Sequence, residues 1–128
     1  MPVRSAKPTE KPVHWIGSSK KDLLAFPKQV VSDIGYALGL AQLGGKHPDT
    51  KPWKGQGAGV LELVESYEGD AYRAVYTVRF EAAVYVLHAF QKKSPKGVKT
   101  DQRDVDLVAK RLRLAQQDHE QQLGKRKG

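Results

Sequence analysis

Tyr72-Arg73-Ala74-Val75-Tyr76-Thr77-Val78 and Ala83-Val84-Tyr85-Val86-Leu87-His88-Ala89-Phe90, followed at once by Gln91-Lys92-Lys93-Ser94, decide how this chain folds. Both runs are rich in β-branched and aromatic residues and lie close enough to pair as a hairpin. The first carries one arginine among apolar residues. The second passes directly from apolar side chains into two consecutive lysines. A sheet that ends in fixed positive charge can cradle a phosphate.

Working back from this stretch, Glu68-Gly69-Asp70 is a hairpin turn signal. Val60–Ser66 reads as a further strand. Three strands with short connections predict an antiparallel meander forming one sheet. Further upstream, Val30, Val31, Ile34, Ala37, Leu38 and Ala41 share one helical face after Pro27, and Gly44-Gly45 ends that helix. A shorter helix through Leu23 and Leu24 precedes it, so the two make an αα-hairpin. Val13-His14-Trp15-Ile16 is a short strand, and Lys46–Gly59 reads as a loop. Downstream, Val105, Val108, Ala109, Leu112 and Ala115 form the apolar stripe of a last helix opening near Thr100. The order β-α-α-β-β-β-α predicts an α+β domain with helices packed on one antiparallel sheet. Residues 1–12, basic with three prolines, are expected to be a flexible tail, residues 13–115 one domain, and residues 116–128 a fraying basic tail.

A chain of 128 residues with 39% hydrophobic content can bury one core. No apolar run is long enough to span a bilayer, and Met1–Pro8 has no apolar segment of the secretory kind. There is no cysteine, which excludes a disulfide framework, a thiol nucleophile and thiolate-bound zinc. A cytoplasmic protein without a membrane partner is expected. The formal charge of +8 favours a polyanionic partner such as nucleic acid. The charge is uneven. Residues 61–90 hold two basic and five acidic side chains, while residues 91–128 hold eleven and five. Basic charge therefore sits around the strands and not within them.

Arg73 in mid-strand can clamp a phosphate bidentately, or it can form a cross-strand ion pair with Glu62 or Glu65. Alternation places Arg79 on the same face. Lys92 and Lys93 point to opposite faces, so at most one joins Arg73; the other reading puts both in an exposed basic loop with Lys96 and Lys99. The joining lysine would balance charge on a pentavalent phosphorane. Lys51, Trp53 and Lys54 combine cations with an aromatic platform, as single-stranded RNA binders do, although Trp53 can equally cap the core. His88 suits proton transfer by its ordinary pKa, or is a hydrogen-bonded structural residue. The four histidines show no metal-ligand spacing, so no metal or other cofactor is expected.

Leu61-Glu62-Leu63, Tyr72-Arg73-Ala74-Val75-Tyr76, Val86-Leu87-His88-Ala89-Phe90-Gln91-Lys92-Lys93-Ser94 and Ala109-Lys110-Arg111-Leu112 together resemble the phage-derived, HigB-like branch of the RelE/ParE toxin superfamily. The resemblance covers roughly residues 13–115. It implies a RelE-like fold and the toxin of a type II toxin–antitoxin pair, cleaving mRNA in the ribosomal A site by metal-independent attack of a ribose 2′-OH. It further implies Arg73 as phosphate clamp, Lys92 or Lys93 as transition-state cation, and Lys54 as a loop cation. His88 and Tyr85 are the nearby acid/base candidates. The implied partners are the ribosome, mRNA and a small antitoxin of helix-turn-helix type. Two other readings stand beside it: a ParE-like gyrase poison, and a non-catalytic RNA- or ribosome-binding module.

Overall fold

A computed structural model describes residues 10–92 and 100–127, with the backbone alone at 92 and 125–127. Its elements are β1 (Val13–Trp15), α1 (Ser19–Leu24), α2 (Lys28–Gln42), β2 (Thr50–Pro52), β3 (Val60–Tyr67), β4 (Asp70–Thr77), β5 (Val84–Lys92) and α3 (Gln102–Lys127). The fold is α+β, but the sheet is larger than the expected meander. Five strands run in the order β1-β5-β4-β3-β2. The antiparallel run β3–β4–β5 forms its centre. β1 adds to β5 in parallel, which makes the sheet mixed. β2 adds antiparallel to β3, inside the stretch expected to be loop. Only three residues long, with Pro52 at its end, it carries no strand pattern that a sequence reading can detect.

The β3–β4 hairpin turns through Glu68 at φ 49° and Gly69 at φ 89°. Two successive positive φ angles are those of the type I′ turn, whose twist matches the flanking strands.

Each face of the sheet buries its own apolar cluster. On one face α1 and α2 lay Leu23, Val30, Ile34, Ala37 and Ala41 over Leu63, Ala74, Tyr76, Val84 and Val86. On the other, α3 lays Val108, Leu112 and Ala115 over Ile16, Trp53, Val75, Tyr85 and Leu87. α3 continues well beyond its apolar stripe, so residues 116–127 are helical where a fraying tail was expected. The cause is tertiary: Tyr85 and His14 hold Asp118, and Phe80 stacks on His119. At the other end Lys11 and Pro12, assigned above to a tail, are tied in. The Lys11 amide donates to Gln42 O at 2.9 Å, and the Val84 amide donates to Pro12 O at 2.9 Å.

β4 and β5 are not in one register. Val75 faces His88, whereas Tyr76 faces Val86, so Leu87 is an extra residue in β5. Such a bulge reverses the alternation of every residue beyond it.

Candidate active site

The bulge decides where His88 goes. Regular alternation from Tyr85 would turn His88 toward α1 and α2. Instead His88 stands on the α3 face, two places before Phe90, and the two rings stack at 4.6 Å between centroids. His88 Nε2 lies 2.8 Å from Asp104 Oδ1 in the first turn of α3. A carboxylate at this nitrogen accepts its proton and leaves Nδ1 as the other ring position. Nδ1 is buried without a hydrogen-bond partner among the described residues.

The register then builds a row across the sheet. Lys51 lies opposite Glu62, Glu62 opposite Val75, and Val75 opposite His88. The backbones of Glu62 and His88 are two strand spacings apart, about 10 Å. In the next row Arg73 lies opposite Val64 and Phe90, diagonal to both Glu62 and His88. Arg73 Nη1 donates to Glu62 Oε2, so the cross-strand ion pair is formed, and its partner is Glu62 rather than Glu65. The side chains of Glu62 and His88 keep only 7% and 8% of their surface, whereas Arg73 keeps 17% and Asp104 27%. Solvent therefore meets this group at its Arg73 and Asp104 side. One guanidinium nitrogen, Arg73 Nε, is buried without a partner among the described residues.

Chemically this is a carboxylate and an imidazole on either side of an apolar floor, with a guanidinium between them. A carboxylate can serve as a proton acceptor in general base chemistry. An imidazole oriented by a second carboxylate can accept or donate one. A guanidinium that has donated one N–H still has others for a phosphate oxygen.

The expected site residues separate accordingly. Arg73, His88 and Lys51 share the α3 face, with Lys51 at the far end of the row from His88. Lys92 ends β5 opposite Ala71. Lys93, Lys96 and Lys99 lie outside the described residues. Lys54 is exposed in the loop after β2. Trp53 is 6% exposed and packs with Val60 and Phe80, so it caps the core and is no stacking platform for RNA. Arg79 does not share the site. It lies past the end of β4, and its guanidinium donates to Ala58 O at 3.0 Å and to Gln56 O, which pins the glycine-rich loop. Tyr85 stands in a different row, opposite Thr77, and donates to Asp118 Oδ2 at 2.6 Å. Burial, and next this hydrogen bond, push its phenol well above the ordinary range, so it is a poor proton donor.

Glu62 and Asp104 are the functional candidates that sequence reasoning passed over. Glu62 figured there only as an ion-pair partner for Arg73. The signal was its alternation with Leu61 and Leu63, but assigning its role needs the register of three strands. Asp104 is one of several acidic residues opening α3, and nothing local singles it out.

Among the described residues, one cluster could offer metal ligands: His47, Asp49 and Glu65 have ligand atoms within 4.8 Å of one another. It lies apart from the row above. The Asp49 amide already donates to His47 Nδ1 at 3.0 Å, and Asp49 is exposed, so the geometry is that of a loop turn.

No helix among the described residues is long and apolar enough to cross a membrane. No curated protein matches the chain. Among solved structures, a chain of the toxin–antitoxin complex RelBE2 from Mycobacterium tuberculosis is 18% identical, with a TM-score of 0.43 over 70% of this chain and 100% of that one. The profile of the phage-derived Gp49-like proteins matches residues 21–113, from α1 into α3. The chain belongs to the phage-derived Gp49-like family.

Proposed function

We propose that this protein is the toxin of a type II toxin–antitoxin pair and an endoribonuclease that cuts translated mRNA on the ribosome. The observation that carries the reading is the row Lys51–Glu62–Val75–His88 with Arg73 beside it, which puts a carboxylate and an imidazole on either side of a guanidinium. The net charge of +8 and the resemblance of the strand sequences to RelE-type toxins support it.

In this reaction Arg73 and Lys51 hold the scissile phosphate. Glu62 removes the proton from the ribose 2′-OH. The 2′-oxygen forms a bond to phosphorus, and the bond from phosphorus to the 5′-oxygen breaks. His88, steadied by Asp104, supplies the proton to that leaving oxygen. The products are a 2′,3′-cyclic phosphate and a 5′-hydroxyl. Arg73 balances the charge on the phosphorane, together with Lys92 or Lys93, while Lys54 serves the approaching strand. The cognate antitoxin, of helix-turn-helix type, covers this basic surface with acidic or apolar groups.

Inducing the protein in growing cells and mapping 5′ ends on a translated message tests the reading. Wild-type protein should create new 5′-hydroxyl ends that Arg73→Ala abolishes, and intact messages would sink it. The pairing of Arg73 with Glu62 favours a second reading, a binding module without catalysis, because part of the guanidinium's charge is already answered. Identical ribosome binding by wild type and by Arg73→Ala plus Lys93→Ala, with no cleavage by either, would select it.

A further inference from the structure

We propose that Arg111 is a positioning residue for His88, acting by holding the β5 bulge closed against α3; this rests on the nuclease reading of the His88 site. Three observations converge on it. The bulge residue is Leu87, which the pairing passes over, since Val75 faces His88 and Tyr76 faces Val86. Arg111 Nη1 donates to that Leu87 carbonyl at 3.0 Å. Arg111 Nη2 donates to Ser18 Oγ at 3.1 Å, at the start of α1.

The guanidinium is also clamped from its flat side. Gly17, at φ +58°, lies so close that a Cβ there would sit 2.9 Å from Arg111 Nε. Only glycine allows both that backbone angle and that approach. The neighbouring carbonyl, Val86 O, is held separately by Ser19 Oγ at 3.1 Å and by the Ile16 amide at 3.0 Å. The two peptide carbonyls preceding His88 are thus fixed from α1 and α3 together.

Arg111 lies seven residues after Asp104, two turns further along the same helix face, roughly 10 Å. One helix therefore supplies both the carboxylate that orients the imidazole and the cation that keeps the imidazole on the correct face. If the bulge relaxes, the strand regains regular alternation and His88 leaves Asp104.

The test reads His88 directly by NMR, through the imidazole nitrogens and the Val75–His88 cross-strand contact, with cleavage rates measured in parallel. Asp104→Asn reports what the imidazole looks like once its carboxylate charge is gone. In Arg111→Ala the Val75–His88 contact should weaken, and the imidazole signals should move toward those of Asp104→Asn. Cleavage kcat should fall roughly ten- to a hundredfold with KM unchanged. Arg111→Lys, which keeps the cation on a single nitrogen and so cannot span both acceptors, should recover part of both readouts. Gly17→Ala, which presses on the guanidinium without removing it, should shift the same signals and serves if Arg111→Ala does not fold. A folded Arg111→Ala or Gly17→Ala protein with wild-type His88 signals overturns the proposal. If the wild type cuts no RNA, the nuclease reading fails on its own, and the imidazole signals still decide whether Arg111 positions His88.

Discussion

Arg73 pairs with Glu62 across β3 and β4, on the face covered by α3, and Glu62 is 5% exposed. Removing the arginine leaves a carboxylate in a place that water scarcely reaches. Breaking such a pair from one side costs about 3–5 kcal/mol. Glu62→Gln keeps the shape and an acceptor, so it should cost clearly less. Urea denaturation of the two variants checks this. Equal losses, or a larger one for Glu62→Gln, would mean that the pair does not hold the charge of Glu62.

On the proposed nuclease reading, His88 and Asp104 should behave as one unit. Loss of a positioned acid or base lowers the rate roughly 10²- to 10⁴-fold. His88→Asn should fall in that range, and Asp104→Asn by less. Because Asp104 acts through the imidazole at 2.8 Å, the double variant should be no slower than His88→Asn alone. Single-turnover cleavage rates measure the coupling, and multiplicative losses would place Asp104 elsewhere in the reaction.

The ends of the pH range report on Tyr85. Burial first, then Asp118, raises its phenol above the ordinary 10.0. The native state thus keeps a proton that the unfolded chain gives up. This contribution is complete below pH about 10 and is lost as pH rises further. Asp118 is held below its ordinary 3.8, chiefly by the hydrogen bond from Tyr85, so its contribution is present above that value and disappears as pH falls. Tyr85→Phe should therefore flatten the stability profile at both extremes. A residual alkaline slope should persist from Tyr76, whose phenol burial also raises. Thermal melts from pH 3 to 11 follow the effect, and an unchanged alkaline slope would contradict it.

Truncation after Ala115 should destabilise the protein, although those residues look like a tail. It removes Asp118 and leaves the Tyr85 hydroxyl, donating at 2.6 Å in the full chain, without its acceptor. Losing a hydrogen bond whose donor can then turn to water costs about 0.5–1.5 kcal/mol, and the stacking of Phe80 on His119 goes with it. Calorimetry of the truncated chain would show a lower Tm. A Tm equal to that of the full chain would return residues 116–127 to the role of a passive extension.

Gly59→Ala tests the loop that Arg79 pins. Gly59 has φ +85°, and a Cβ there would meet the Arg79 backbone at 3.2 Å. Gly69 also has positive φ, at +89°, but open space around it. Strain alone costs about 1 kcal/mol or more at either position. Gly59→Ala should lose more stability than Gly69→Ala by chemical denaturation.

Much of the fold was legible because its signals are local. The helix of Val30, Ile34, Ala37, Leu38 and Ala41 declares itself by period, and the β3–β4 turn by Glu68-Gly69. β2 was not legible: three residues containing a proline become a strand only because β3 offers an edge to pair with. The end of α3 was hidden for a related reason. Asp104, Arg111 and Asp118 recur every seven residues on the face that meets β5, binding His88, the Leu87 carbonyl and Tyr85 in turn. Spaced polar residues read as solvent-facing unless their partners are known.

The site divides in the same way. Sequence by itself determined that Arg73 stands in a strand within a net acidic stretch, that a histidine lies in the next strand, and that acidic residues lie where α3 begins. Those statements need only composition and periodicity. Tertiary structure alone decided that Arg73 turns to Glu62, that Trp53 is buried, and that His88 faces Asp104. The last depends on one extra residue, Leu87, in the pairing of β4 with β5. Period-two alternation is exact only within an unbroken register, and the register is set by contacts between strands and helices far apart in the chain.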